Sequence, residues 1–224
     1  MAIKTFNHAD MDHMGEFVGK TNLLEESILY ILNNGIPEGY KPRERVLAMA
    51  VGCRDFTLEG SIIRGFHKLR YGLDRSNIAV VGCDIEYGHP TSRSINDYDF
   101  QARGEYDGDA STKKPWSLGL DFKGNGTKAY DFVHVNFPDF CGFDNWVGIF
   151  KMANKFLSDT GMITVLSEGA EDSSHLRRLC ETLKKDGSFV LNPIQEYQYG
   201  DLSDFFYTFA AMQAKKTGGI SEHQ

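Results

Sequence analysis

The sequence predicts an α/β fold: a mainly parallel, seven-stranded sheet with helices on both faces and an antiparallel hairpin at its carboxyl-terminal edge. Three observations carry this. Two apolar, β-branched runs, Arg45–Val51 and Asn77–Asp84, lie about thirty residues apart with a helical pattern between them. Further strand-like runs alternate with amphipathic stretches of helical length, which is the pattern of crossover units feeding a parallel sheet. The last two strand-like runs, Ser188–Leu191 and Phe205–Phe209, have no clear helix between them, which permits a hairpin.

The elements follow in order. Thr21 to Asn34 carries Leu23, Leu24, Ile28, Leu29, Ile31 and Leu32 at helical spacing, with Asn22 and Glu25 placed as a capping box and Gly35-Ile36-Pro37 as a stop. After the first strand a Gly52-Cys53 turn leads to a helix that Thr57 can cap, running through Leu58, Ile62, Ile63, Phe66 and Leu69 to Gly72. The second strand ends at Asp84. From Glu86 to Thr127 the pattern dissolves into Gly, Asp, Ser, Tyr and Asn, with only PWSLGLDF resembling a buried strand; a segment of this length reads as a lid, an insertion or disorder.

Order returns at Tyr130–Phe137, an aromatic and β-branched run that Pro138 halts. Asp144 begins a helix whose Trp146, Ile149, Phe150, Ala153, Phe156 and Leu157 share a face, and Asp159-Thr160-Gly161 ends it. Met162–Leu166 is the next strand. Ser173, Leu176, Leu179 and Leu183 mark a helix that stops at Gly187. The organisation expected is a tail over residues 1–20, one domain over 21–214 with an insertion at 87–126, and a frayed tail over 215–224.

Composition narrows the function classes. At 224 residues and 41% hydrophobic, the chain can bury one sizeable core. A formal net charge of −7 works against a purely electrostatic grip on nucleic acid, so no DNA partner is expected. Cys53, Cys83, Cys141 and Cys180 form no CxxC pair, which argues against a zinc or dithiol motif and for reduced thiols in a cytoplasmic protein. The first residues lack the apolar core of a signal peptide, and no later run approaches the roughly twenty apolar residues of a membrane span.

In element order, roughly Arg45 to Met212 resembles a class I S-adenosylmethionine-dependent methyltransferase. The first strand and its turn, ending Val51-Gly52-Cys53, match the start of that family's Gly-rich loop, where the backbone approaches the methionine part of the cofactor. Asp84 in GCDIE falls where the family has an acid for the ribose hydroxyls, and YDFVHVNFPDF falls on its fourth-strand motif. VGCRDFTLEG with VNFPDF is similar to the signatures of ribosomal RNA uridine methyltransferases, and Phe-Pro-Asp to those of tRNA guanine-7 methyltransferases. The resemblance implies a Rossmann-like methyltransferase fold, S-adenosylmethionine as cofactor, and a small molecule or RNA as substrate. It implies cofactor contacts from Val51, Gly52, Cys53, Arg54, Asp55, Asp84, Ile85 and Asn136, with Asn136 and Asp139 as catalytic candidates.

Each candidate also has a plain structural role. Gly52 can serve a turn that needs a positive φ, Asp84 can cap a following turn, Asn136 can close a strand end as an Asx turn, and Asp139 can be a solvated loop acid. His134, inside a central strand, reads as a hydrogen-bonded core histidine. His8, Asp10, Asp12 and His13 have metal-ligand chemistry but sit in the expected tail. Tyr87, His89 and Trp116 can either cover a ligand or anchor the insertion. Ala50, Arg54 and Phe56 depart from the family's acid and glycines, which keeps open a domain that binds a nucleotide or partner without turnover. A dinucleotide-dependent oxidoreductase is the remaining alternative; it needs a Gly-x-Gly-x-x-Gly turn where this chain has Gly-Cys-Arg-Asp-Phe-Thr.

Overall fold

The structure is a computed structural model that describes residues 2–18, 22–52, 56–83, 116, 130–138, 140, 143–201 and 205–215. Its centre is one sheet. The strands are β1 (Ile3–Phe6), β2 (Val46–Val51), β3 (Ile78–Cys83), β4 (Tyr130–Asn136), β5 (Leu157–Glu168), β6 (Phe189–Leu191), β7 (Gln195–Tyr199) and β8 (Phe206–Ala214). They lie in the order β1-β7-β8-β5-β4-β2-β3, with β6 also paired to β8. Every pairing is parallel except those made by β8, which runs antiparallel between β5 and the β6–β7 strand pair.

Among the described residues, four helices longer than one turn pack on the sheet: α1 (Leu23–Gly35), α2 (Phe56–Tyr71), α3 (Phe143–Phe156) and α4 (Gly169–Asp186). The period-two alternation of the strands sorts their side chains into two cores. Ala48, Phe132, Leu166 and Phe209 join Ile28, Leu32, Ile63 and Phe66 on one face, under α1 and α2. Val133, Val135, Ile163 and Val165 join Ile149, Phe150, Leu176 and Leu179 on the other, under α3 and α4. The contact of α1 with the sheet is close: a Cβ on Gly35 would stand 2.6 Å from the Phe209 ring, so only glycine fits there.

Three helix ends follow the sequence reading, whereas Thr57, expected to cap the second helix, lies inside it because that helix begins at Phe56. Asn22 Oδ1 accepts the Glu25 N–H at 2.8 Å, and Gly72 and Gly187 adopt φ of +67 and +74 while donating back to Lys68 and Lys184.

Four expectations change. The N-terminal residues do not form a loose tail: β1 adds a parallel edge strand beside β7, Phe6 stacks on Tyr30 at 4.7 Å, and Met11 and Met14 are buried. Asp10, a candidate metal ligand, accepts the Asn7 N–H at 2.8 Å in a capping box. The helix over Asp144 runs directly into β5 at Leu157, so Asp159-Thr160-Gly161 lies within the strand, where the β4–β5 register shifts between Tyr130 and Phe132. Gly161 is required there, since a Cβ would stand 2.9 Å from the Tyr130 carbonyl oxygen. Finally, Gln195–Tyr199 is an additional strand, and its register against β8 is one residue out of step with that of β6. Pro193 occupies the break, as proline in a sheet requires. Of PWSLGLDF only Trp116 is described; its backbone is helical, and its ring stacks on Phe156 and meets Tyr130 edge-on.

Three buried polar groups tie the layers together. Asp131 opens β4, accepts the Leu47 N–H at 2.9 Å and the Ser158 hydroxyl at 3.2 Å, and pairs with Arg43. His67 donates from Nδ1 to the Ile63 carbonyl at 2.7 Å and accepts the Tyr40 hydroxyl at 3.0 Å. His134 shares a 2.9 Å bond with Thr164, whose hydroxyl donates to Val133; Nδ1 of His134 is therefore the donor.

Burial drives the His67 pKa down to about 4 and that of His134 to about 3. Both histidines are neutral in the folded state, whereas the unfolded chain protonates them near pH 6.5. The stability they contribute is complete above pH 6.5 and is lost as the pH falls toward 4, at roughly 1 kcal/mol per pH unit for each ring. Urea unfolding is expected to show a lower midpoint at pH 5 than at pH 7; equal midpoints would contradict the neutral assignment.

Candidate functional site

Strand order locates the site. From β2 the chain crosses through α2 to β3 on one side, while β4 pairs with β2 on the other. The order reverses at β2, and in open α/β sheets a ligand crevice forms at the carboxyl ends of the strands flanking such a switch. Val51, Cys83 and Val135 stand in one row across these strands, so the residues that follow them lie at the rim.

Gly52 is the first of these. It has φ +74, and among the described residues the nearest atom to a Cβ placed there would be Trp146 Cη2 at 4.0 Å. The left-handed turn suits glycine, and among the described residues nothing approaches closer on its side-chain face. Val51 itself turns its side chain into the α3–α4 core, leaving its backbone as the part available at the rim.

Asn136 is the second. It ends β4, is 4% exposed, and donates from Nδ2 to Glu59 Oε1 at 3.4 Å, while its Oδ1 has no partner among the described residues. The next residue, Phe137, has φ +48 and donates its N–H to the Leu166 carbonyl at 2.8 Å. A bulky residue in this conformation costs about 1–3 kcal/mol, and such strain concentrates at functional sites.

The structure therefore brings Val51, Gly52 and Asn136 together on adjacent strands. Cys53, Arg54, Asp55, Asp84, Ile85 and Asp139 lie outside the described residues, as do Tyr87 and His89. His134 is a core residue, two positions below Asn136 on the same face.

Three residues at this end of the sheet were not singled out in the sequence. Glu59 is 4% exposed in the first turn of α2, at helical spacing from Ile62, Ile63 and Phe66. A carboxylate on that apolar stripe was the available signal. Glu168 ends β5, and burial raises its carboxyl above the usual range. Tyr207 pairs opposite it on β8; its buried hydroxyl has no partner among the described residues, and burial, then the neighbouring Glu168, raise its pKa.

Comparison with known proteins gives a consistent picture at the level of fold. No family model matches the sequence, and no curated protein sequence matches it significantly. Among solved structures, an S-adenosylmethionine-dependent methyltransferase of Leishmania major superposes with a TM-score of 0.59 at 10% identity, covering 92% of this chain and 82% of that one. Precorrin-6y C5,15-methyltransferase of Geobacter metallireducens gives 0.52 at 9% identity over 89% and 92% of the two chains. The N-methyltransferase NodS of Bradyrhizobium japonicum gives 0.52 at 9% identity over 86% and 95%. Among the described residues no helix is long and apolar enough to cross a membrane. Together with the strand order and the switch at β2, these likenesses give the chain the Rossmann-like fold of the class I S-adenosylmethionine-dependent methyltransferases.

Proposed function

We propose that this protein is an S-adenosylmethionine-dependent methyltransferase acting on a small molecule or an RNA. The observation that carries the reading is the left-handed Gly52 turn at the carboxyl end of β2, which no described residue approaches closer than 4.0 Å on its side-chain face and which is set at the switch between β3 and β4. The residues fit the cofactor: a glycine whose missing Cβ leaves room for a ligand against the backbone, and on the adjacent strand a buried amide oxygen with no partner among the described residues.

In this reading Val51, Gly52, Cys53, Arg54 and Asp55 hold the amino-acid end of the cofactor, Asp84 binds the ribose hydroxyls, and Ile85 borders the base. Asn136 faces both cofactor and acceptor, and Asp139 orients the acceptor. The bound cofactor supplies an activated methyl group, so positioning and exclusion of water supply most of the rate. Glu59 fixes the Asn136 amide so that its oxygen is presented to the crevice.

Asp84→Ala is expected to weaken binding of S-adenosylhomocysteine at least tenfold, because hydrogen bonds to a charged group are lost together. Calorimetric titration measures this directly, and unchanged affinity would remove Asp84 from the site.

A further inference from the structure

Toward the opposite end of the sheet from Gly52 and Asn136, the structure holds a cavity of about 680 Å³. Its walls follow from the ladder along β8. Both β6 and β7 pair with the edge of β8 that β5 leaves free, one after the other, and their registers differ by one residue. Pro193 cannot donate to the ladder at the break, while the Asn192 N–H and Nδ2 both donate to the Ala211 carbonyl, at 3.0 and 3.3 Å. The cavity opens there, between Phe189, Leu191 and Ile194 on one side and Cys180, Glu181 and Lys184 of α4 on the other. Gln213, which faces Met162 in β5, also pairs with Val190 of β6. Asn136 pairs with Leu166, four residues beyond Met162 and about 13 Å further along the strands, so the cavity lies apart from the proposed cofactor rim.

The floor of the cavity is apolar: Phe189, Leu191 and Ile194 pack with the core under α3 and α4. Burial pushes the Cys180 thiol up to about 12, so it adds no negative charge. The rim is cationic. Arg177, Lys184 and Lys215 line it against one carboxylate, Glu181, in a chain whose formal net charge is −7. Arg177 pairs with Glu196, which fixes its guanidinium at the wall. Lys184 and Lys215 have no ion-pair partner among the described residues. The carboxyl end of α4 is weakly negative, and Lys184 and Lys185 in its last turn offset that charge.

We infer that this cavity binds an amphiphilic monocarboxylate, a carboxylate on an apolar chain of medium length, at a site separate from that of methyl transfer. The inference does not rest on the methyl-transfer reading. The volume falls within the roughly 300–1,000 Å³ of small-molecule sites, which are mostly apolar with a few placed polar groups. The chain lies on Phe189, Leu191 and Ile194, and the carboxylate meets Lys184 and Lys215 at the mouth. Burial of the chain supplies most of the affinity, and the lysines select the charge of the head group. An ammonium on the same chain is repelled by them, and an alcohol gains the apolar contact without the ion pair.

The test is calorimetric titration of the full chain with octanoate, octanol, octylamine and acetate. Octanoate is expected to bind at one site per chain, at least tenfold more tightly than each of the other three. Lys184→Glu combined with Lys215→Glu reverses two exposed charges outside the core and is expected to reduce octanoate affinity at least tenfold. Glu181→Lys, also at an exposed position, is expected to raise it severalfold, a gain that loss of folding cannot imitate. Absence of octanoate binding, or octanol or octylamine binding as tightly, would overturn the inference. So would acetate binding as tightly, an affinity unchanged by the paired lysine replacement, or weaker octanoate binding in Glu181→Lys. These outcomes are independent of S-adenosylhomocysteine, whose binding tests the methyl-transfer reading alone.

Discussion

Replacing Asp131 with alanine is expected to lower the unfolding free energy by about 3 kcal/mol, the largest stability loss anticipated for a single polar side chain in this fold. The carboxylate is 1% exposed at the start of β4 and reaches two strands and the segment ahead of β2. It accepts the Leu47 N–H in β2 and the Ser158 hydroxyl in β5, and it pairs with Arg43 ahead of β2. Alanine leaves the Leu47 N–H without its partner inside the sheet and strands the Ser158 hydroxyl. The Arg43 side chain is 44% exposed, so water solvates it when the pair is lost and the ionic part of the cost is small. Asn keeps one acceptor and should lose about half as much. For a chain of this size the alanine variant should melt roughly 10 °C lower. Urea unfolding of both variants measures the effect, and a loss below about 1 kcal/mol for alanine would show that the network does not join these strands.

The parts of the fold that the sequence revealed are those where one residue pattern has one physical meaning. The buried strands β2 and β3 are continuous apolar runs because helices cover both faces, and glycines at positions 52, 72 and 187 mark turns that need positive φ. Where pattern and burial part company, the reading fell short. In β1 only Phe6 is buried, so no period shows. In β7 the buried residue is Tyr197 among Gln and Glu, which reads as a polar loop until β8 is laid beside it. The β5 strand begins inside a segment whose Asp, Thr and Gly resemble a helix stop, because a register shift there admits polar residues into the strand.

The site divides in the same way. Gly52 and Asn136 were legible because each ends an apolar strand, and a strand end is where chemistry gathers in this class of fold. Glu168 and Tyr207 were not, because their meeting depends on an antiparallel pairing between segments forty residues apart in sequence, which no local pattern encodes. Glu59 falls between the two cases: its place on an apolar helical stripe is visible, but its partner Asn136 is 77 residues away.

The second large effect is expected at Gly52, and here stability and binding should separate. Gly52→Ala places a Cβ in a left-handed turn, at a cost of about 1–2 kcal/mol from the backbone alone, with no clash against the described residues, of which Trp146 at 4.0 Å is the nearest. The variant should therefore fold. The methyl group occupies the space in which the cofactor is proposed to meet the backbone, so affinity for S-adenosylhomocysteine should fall more than tenfold, equivalent to about 1.4 kcal/mol or more. A variant that folds and binds as the unaltered protein does would place the ligand elsewhere.

The measurement that bears most directly on the central claim is calorimetric titration of the unaltered protein with S-adenosylhomocysteine, run beside NAD. Saturable binding of S-adenosylhomocysteine at one site per chain is expected, weakened in Gly52→Ala, with no binding of NAD. Binding of NAD in its place, or of neither ligand, would contradict it.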